Sequence, residues 1–368
     1  MKVLFLSSSS SSIHNAYHQR LRMLAAGLAS VGVHTDFVYF KDRFLSKPAL
    51  IHPLSYFSIP KILHDCDIIH GGDDAGTYAG LFFKYLLSKP IVYDIHGDAF
   101  QDELLYLSAQ PWNPRRMFHV VQAKILETVA SRIANGYIVV SEFQRKHLLS
   151  RGIPSSRIEL IRNGVDTRMF RPLSTNPNPN FTFCYAGAMQ EYQDINILFK
   201  AFHKLELKNI RLKIIGFTNR DKRLKKRITS VLKERVEILN KLPQKELINH
   251  LASADVLIIP RRDHPCMRYG FPVKFAEFAS MGKPIIVSNV DETSDLVHRY
   301  HCGFVYEASN CESLLAKLKQ VVEVNRQSLL EMGKNARRLA IDEFQWSRIA
   351  RKYTIFLEQV VQNYKNLL

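Results

Sequence analysis

Short apolar runs and amphipathic stretches alternate along almost the whole chain. Runs at 2–6, 35–40, 67–70, 90–95, 136–140 and 158–161 are hydrophobic without a polar face, as strands buried on both sides of a parallel sheet are. Between them, 15–30, 75–87, 115–134 and 142–150 repeat apolar residues at three- and four-residue spacing, which predicts helices with one inward face. In the first of these, Leu21, Leu24, Ala25 and Leu28 form that face, and Gly32 stops the helix. A second series predicts strands at 181–185, 211–215, 236–239, 255–259, 284–287 and 303–306, with helices between them and three more to close the chain. Between the two series, residues 172–180 are broken up by proline and asparagine without apolar periodicity and read as a linker or exposed loop. Residues 40–63 are irregular, rich in proline, aromatics and lysine. The alternation predicts an α/β protein of two doubly wound, Rossmann-like parallel-sheet domains, 1–170 and 171–345, followed by a last helix at 346–368.

Composition fits this division. The chain has 368 residues, 46% hydrophobic and 23% charged, a soluble globular balance at a length that favours two domains. Its formal net charge of +17 predicts an anionic partner: nucleic acid, an anionic membrane surface or a phosphorylated substrate. No nucleic-acid-binding motif accompanies the charge, which argues against the first. The densest basic stretch, 219–228, has apolar positions at Leu224, Ile228, Val231 and Leu232, and reads as a helix with a core stripe and a solvated basic face. Cys66, Cys184, Cys266, Cys302 and Cys311 lack paired metal-ligand spacing, so a reduced, cytoplasmic protein without a metal site is expected. No stretch approaches the roughly 20 apolar residues of a membrane span, so any membrane contact would be peripheral.

The most informative chemistry lies between 255 and 287. A buried strand runs into a loop holding Arg261, Arg262, Arg268, Tyr269, Gly270 and Phe271, with Pro272 placed at the first position of the next helix. Lys274 and Glu277 are three residues apart and project from one face near that helix's positive end; Gly282 closes the helix. A cation, a carboxylate and a helix start at the carboxyl end of a parallel strand suit a polyanion carrying hydroxyls. Spacing alone fits equally well an ordinary βαβ unit whose lysine and glutamate are solvated.

The whole chain nevertheless resembles glycosyltransferase family 4, retaining nucleotide-sugar transferases of the GT-B fold. The resemblance rests on residues 137–141, on 158–166 with Asn163, Gly164, Val165 and Asp166, on 256–260 with the loop and helix that follow, and on Phe344, Gln345 and Trp346 before the last helix. Each piece is short; their order and spacing together are specific. The resemblance implies two domains facing a central cleft, with the C-terminal helix crossing back to the first. It implies transfer of a sugar from a nucleoside diphosphate sugar to a hydroxyl acceptor, in glycan, polysaccharide or glycolipid biosynthesis, with no cofactor beyond the donor itself. Glycan or lipid-linked acceptors and a peripheral contact with anionic membrane, through 40–63, go with that reading.

Residue by residue, Glu277 takes the second place of the family's two-glutamate donor signature and would bind the ribose hydroxyls, while Tyr269 stands at the first. Lys274 would meet the diphosphate. Gly187 matches the glycine after the second domain's first strand, but Ala188 and Gln193 replace the basic pair that offsets leaving-group charge. Arg261, Arg262, Arg268 and Lys274 are the expected substitutes, and the backbone at Lys241 and Leu242 would meet the base. His96, at the end of a strand, would face the reacting sugar, with Asp94 on its side of the strand. Serines 7–12 replace the usual glycines of the first loop. Two other readings stay open: a sugar-nucleotide epimerase of the same fold, and a non-catalytic anion-binding protein.

Overall fold

The computed structural model describes residues 1–9, 16–41, 64–72, 74–96, 112–175, 179–190 and 192–367. The expectations placed on serines 10–12 and on most of 40–63 lie outside these residues. Two compact units result, one of residues 1–163 with 346–368, the other of residues 164–345. The chain therefore passes between units at Asn163 and Gly164 and returns at Gln345 and Trp346, so the proline–asparagine stretch near 172 belongs inside the second unit.

In the first unit, β1 (Lys2–Ser9), β2 (His34–Lys41), β3 (Ile68–Gly71), β4 (Ile91–Ile95), β5 (Gly136–Val139) and β6 (Ile158–Leu160) form a parallel sheet in the order β2-β1-β3-β4-β5-β6. Strand alternation sorts β1 between two cores. Val3 and Phe5 face α1 (Ala16–Ser30) and the last helix, α13 (Trp346–Lys365), whereas Leu4 and Leu6 face the side of α2 (Asp74–Leu87) and α3 (Pro114–Ile133). Helix α3 starts on an Asn113 cap, whose side chain accepts from the N–H groups of Arg115 and Arg116. After β5, α4 (Glu142–Ser150) is a short helix capped by Ser141. Tyr353, Phe356, Leu357 and Val360 of α13 are buried with Leu21, Leu24 and Leu28, so the C-terminal helix is core to the N-terminal unit.

The second unit repeats the plan. The strands β7 (Phe181–Ala186), β8 (Ile210–Phe217), β9 (Val236–Asn240), β10 (Val256–Ile259), β11 (Ile285–Ser288) and β12 (Gly303–Tyr306) pair in the order β12-β11-β10-β7-β8-β9. Every residue of β10 and β11 is buried, as their unbroken apolar sequences require. In both sheets the winding direction reverses beside the first strand: between β1 and β3, and between β7 and β10. Loops leave opposite sides of the sheet at such a point and open a crevice at the carboxyl ends of the strands. The remaining helices are α5 (Ile195–Lys204), α6 (Lys222–Leu232), α7 (Gln244–Ala252), α8 (Pro265–Tyr269), α9 (Val273–Ser280), α10 (Thr293–Tyr300), α11 (Cys311–Glu323) and α12 (Arg326–Glu343). The basic stretch forms α6, with Ile228 and Leu232 buried and Leu224 and Val231 packed beside them.

Candidate functional site

In the second unit the crevice lies between Gly187, just after β7, and Arg261, just after β10. Gly187 has φ +156° and Gly216, in β8, has φ +119°. A Cβ on Gly216 would collide with the Gly187 carbonyl, and one on Gly187 would collide with Lys274 Nζ. The two glycines thus let the ends of β7 and β8 close together and leave space that a lysine fills.

Lys274 reaches that space from the first turn of α9. Its Nζ donates to Tyr185 Oη at 3.3 Å and to Gln193 Oε1 at 3.2 Å, and lies 4.7 Å from the centre of the Tyr185 ring. Tyr185 in turn donates to the Ala188 carbonyl at 2.7 Å. Gln193 stands where the family resemblance expects a lysine; here it accepts a hydrogen bond from Lys274, so a cation from α9 arrives at the position the missing one would serve. Burial, aided by the Arg261 charge and opposed by Glu277, brings the Lys274 pKa down to about 7. Burial raises Glu277 to about 7, against the pull of Lys274. Among the described residues no side chain or backbone group donates to the half-buried Glu277 carboxylate, which keeps its acceptor capacity for a ligand.

The four expected loop cations are not brought together. Arg261 is buried and ion-paired with Asp291 through Nη1, while its Nη2 lies 3.2 Å from Met267 Sδ. Asp291 also accepts from the Thr293 N–H at 2.9 Å, at the start of α10. A guanidinium held this way fixes the β10 loop to the β11 loop rather than meeting a diphosphate directly. Arg268 is exposed, 3.4 Å from Asp263, and adds only to the local field. Arg262 is half-buried; its N–H donates to the Tyr192 carbonyl at 3.0 Å. Among the described residues, Lys274 is the cation seated in the crevice.

Phe271, in the loop expected to meet the donor, has its ring buried against Phe275 and Phe344, 5.9 and 5.3 Å between centres, where it anchors the start of α9. Gly270 has ordinary negative φ and offers its carbonyl to Arg261 at 3.5 Å. Tyr269 ends α8, a short helix that the sequence reading did not separate from the loop. It is opened by Pro265 at N1 and by His264, whose Nδ1 accepts from the Cys266 N–H. Pro272 is the cap before α9 rather than its first residue, one position earlier than expected. Lys241 and Leu242 follow β9 at the sheet edge, the Lys241 N–H already donating to the Phe217 carbonyl at 3.1 Å.

His96 lies at the end of β4 in the first unit and is joined to groups that no local motif announced. Its Nε2 is 3.3 Å from Asp94 Oδ2, and His70 Nε2 is also 3.3 Å from that oxygen. Strand alternation puts Val92, Asp94 and His96 on the α1–α13 side, and His70 of β3 shares it. Arg20, on α1, completes the cluster: its Nη2 is 3.4 Å from Asp94 Oδ1, and it donates to the carbonyls of Ile161 and Arg162 at 2.8 and 2.9 Å. On α13, Tyr353 Oη is 2.5 Å from His70 Nδ1. Burial works against ionisation of Asp94, but Arg20, followed by His96 and His70, holds its carboxyl well below the usual carboxylate range. Burial pushes His96 down to about 4; Arg20 and His70 add to this and Asp94 opposes it. At neutral pH the ring is therefore uncharged and able to accept or donate one hydrogen bond. The alternation that placed Asp94 beside His96 was legible; Arg20 lies 74 positions from Asp94 and Tyr353 lies 283 from His70, and the partners Arg20, His70 and Tyr353, on separate elements, were not.

Comparison with known proteins agrees with this architecture. Residues 18–169 match the model of Glycosyltransferase Family 4, and residues 166–339 match Glycosyl transferases group 1. The chain is 24% identical over 304 residues to the MMP alpha-(1->4)-mannosyltransferase of Mycolicibacterium hassiacum, covering 81% of this chain and 71% of that protein. It is 23% identical over 360 residues to the UDP-Gal:alpha-D-GlcNAc-diphosphoundecaprenol alpha-1,3-galactosyltransferase of Escherichia coli, covering 90% and 87%. Among solved structures, Anabaena Alr3699/HepE in complex with UDP-glucose superposes with a TM-score of 0.73 at 18% identity, over 97% of this chain and 99% of that one.

Proposed function

Because this chain belongs to the GT-B glycosyltransferases, joining a Glycosyltransferase Family 4 domain to a Glycosyl transferases group 1 domain, we propose that it moves a sugar from a nucleoside diphosphate sugar to a hydroxyl acceptor with retention of anomeric configuration. The observation that supports this best is the Lys274–Glu277 pair on α9, with the lysine drawn onto Tyr185 and Gln193 in the crevice between β7 and β10. Lys274 meets the diphosphate, and its charge, with the start of α9, offsets the negative charge that grows on the leaving group. Glu277 accepts hydrogen bonds from the ribose hydroxyls. His96, neutral and oriented by Asp94, faces the sugar. The bond from the anomeric carbon to the diphosphate oxygen breaks. The acceptor oxygen bonds to that carbon on the same face, and its proton passes to the departing phosphate oxygen.

A uridine nucleotide is the first donor to test, since the Anabaena neighbour is in complex with UDP-glucose. A lipid-linked diphosphate sugar is the first acceptor, since the Escherichia coli relative is named for one. Titration calorimetry with UDP, GDP and ADP tests the reading. One of the three binds, and Glu277→Ala weakens it by about tenfold, the loss of a ribose contact to a charged acceptor. Silence with all three would end the proposal, and unchanged affinity in Glu277→Ala would remove the ribose role.

A further inference from the structure

His96 and Asp94 have a task in the proposed transfer; His70 and Tyr353, beside them, have none. His70, Tyr353, Asp94 and Arg20 are buried, whereas His96 keeps 22% of its side chain exposed. Of these five, His96 is the member a ligand can reach, and the others act on a ligand through it.

The hydrogen-bonding capacities of the cluster leave one consistent arrangement. Arg20 keeps Asp94 ionised, so both carboxylate oxygens only accept. Oδ2 lies 3.3 Å from Nε2 of His70 and 3.3 Å from Nε2 of His96. A bare ring nitrogen there would set its lone pair against the carboxylate, so each Nε2 carries a proton. Tyr353 Oη is 2.5 Å from the other nitrogen of His70, Nδ1, and has no second hydrogen-bond partner among the described residues. A proton on Nδ1 as well would occupy the phenol oxygen and leave the buried O–H without an acceptor. The phenol, kept protonated by burial and by the Asp94 charge, therefore donates to Nδ1. We propose that Tyr353 and His70 are positioning residues for His96: the phenol fixes the His70 tautomer, His70 donates to one side of Asp94 Oδ2, and that oxygen holds the Nε2–H of His96 in one orientation. This rests on the sugar-facing role proposed for His96. The ring is then set before a sugar arrives, and the last helix, α13, takes part in setting it.

One readout of this arrangement needs no substrate. Nuclear magnetic resonance of the chain, isotope-labelled at its histidine nitrogens and assigned with His70→Gln and His96→Gln, should show His70 near neutral pH protonated at Nε2 and bare at Nδ1. Tyr353→Phe, which deletes one hydroxyl, should populate both tautomers. His96 should titrate at about 4 in the parent chain. His70→Phe removes a donor from Asp94 Oδ2 and should move that titration upward, since the carboxylate then serves His96 with less competition. In donor turnover, Tyr353→Phe and His70→Phe should each lower kcat by about tenfold, with the donor KM within about twofold. His70→Gln, whose amide N–H can stand in for the ring Nε2–H, should recover most of that loss. Unchanged circular dichroism establishes that the variants fold. A parent chain with His70 protonated at Nδ1 overturns the proposal. So does a His96 titration that His70→Phe leaves in place, or a loss of kcat as large in His70→Gln as in His70→Phe. If the parent chain turns over no donor, the proposed transfer fails instead, and the tautomer and titration still decide whether Tyr353 and His70 hold His96.

Discussion

At the scale of single residues, the donor crevice depends on Lys274 and Glu277 sharing a poorly solvated helix face. Without ligand each is brought toward neutrality, the lysine falling to about 7 and the glutamate rising to about 7. A diphosphate reverses the balance for the lysine, since its charge favours the protonated form. Below pH 7 Lys274 is already charged in the free protein; above it, binding must take up a proton. Affinity for the nucleoside diphosphate should therefore decline by up to about tenfold per pH unit above 7. Calorimetry in buffers of different ionisation enthalpy should register that proton at pH 8. In Lys274→Met the alkaline decline and the proton uptake should both vanish, along with much of the affinity. A variant that kept the same alkaline slope would move the titration to another group. The same linkage bears on stability. Glu277, raised on folding, makes stability fall between its ordinary value and 7, and Lys274, depressed on folding, makes it rise from 7 toward its ordinary value.

At the scale of elements, Arg20 and Asp94 tie α1 to β4 with both side chains buried. Removing one partner leaves a charge uncompensated, whereas removing both leaves an apolar gap. Asp94→Leu alone should cost about 3–5 kcal/mol in urea denaturation, and Arg20→Met in the same chain should recover most of it. Additive losses would show that the pair is not coupled. Little of this network was legible in the sequence. Period-two alternation put Asp94 beside His96, but hydrogen bonds spanning 142 and 283 positions leave no local pattern to read. The strands were legible for the opposite reason. Buried parallel strands such as β10 and β11 must be apolar throughout, so they stand out against amphipathic helices. Helix α9 was readable from its flanking Pro272 and Gly282, the latter at φ +67°. The separate turn of α8 was not, because five residues are too few for a hydrophobic period. Arg261 shows the limit most clearly. A loop arginine near a phosphate-friendly helix reads as a ligand contact until Asp291, 30 residues on, is found holding it.

At the scale of the molecule, the two sheets have separate cores, and the C-terminal helix belongs to the first. Tyr353, Phe356 and Leu357 on α13 are fully or almost fully buried in that core, and Tyr353 also reaches His70. The donor groups Lys274 and Glu277 belong to the second. A ligand stabilises what it binds, by about 2.7 kcal/mol at a free concentration one hundred times its dissociation constant. Hydrogen exchange with and without saturating nucleotide should therefore show the added protection concentrated in residues 164–345, strongest in α9 and the loops after β7 and β10. Phe356→Ala opens a cavity among Ile138, Leu24 and their neighbours, and should destabilise by about 3–5 kcal/mol. Its effect should fall on residues 1–163 and 346–368, accelerating exchange there while leaving the nucleotide dissociation constant within about twofold. Loss of nucleotide affinity in Phe356→Ala, or protection spread evenly over both units, would mean that the two cores unfold and bind as one. Uneven protection would place the stability of the donor crevice in the second unit alone, and make the last helix a determinant of the unit that holds His96.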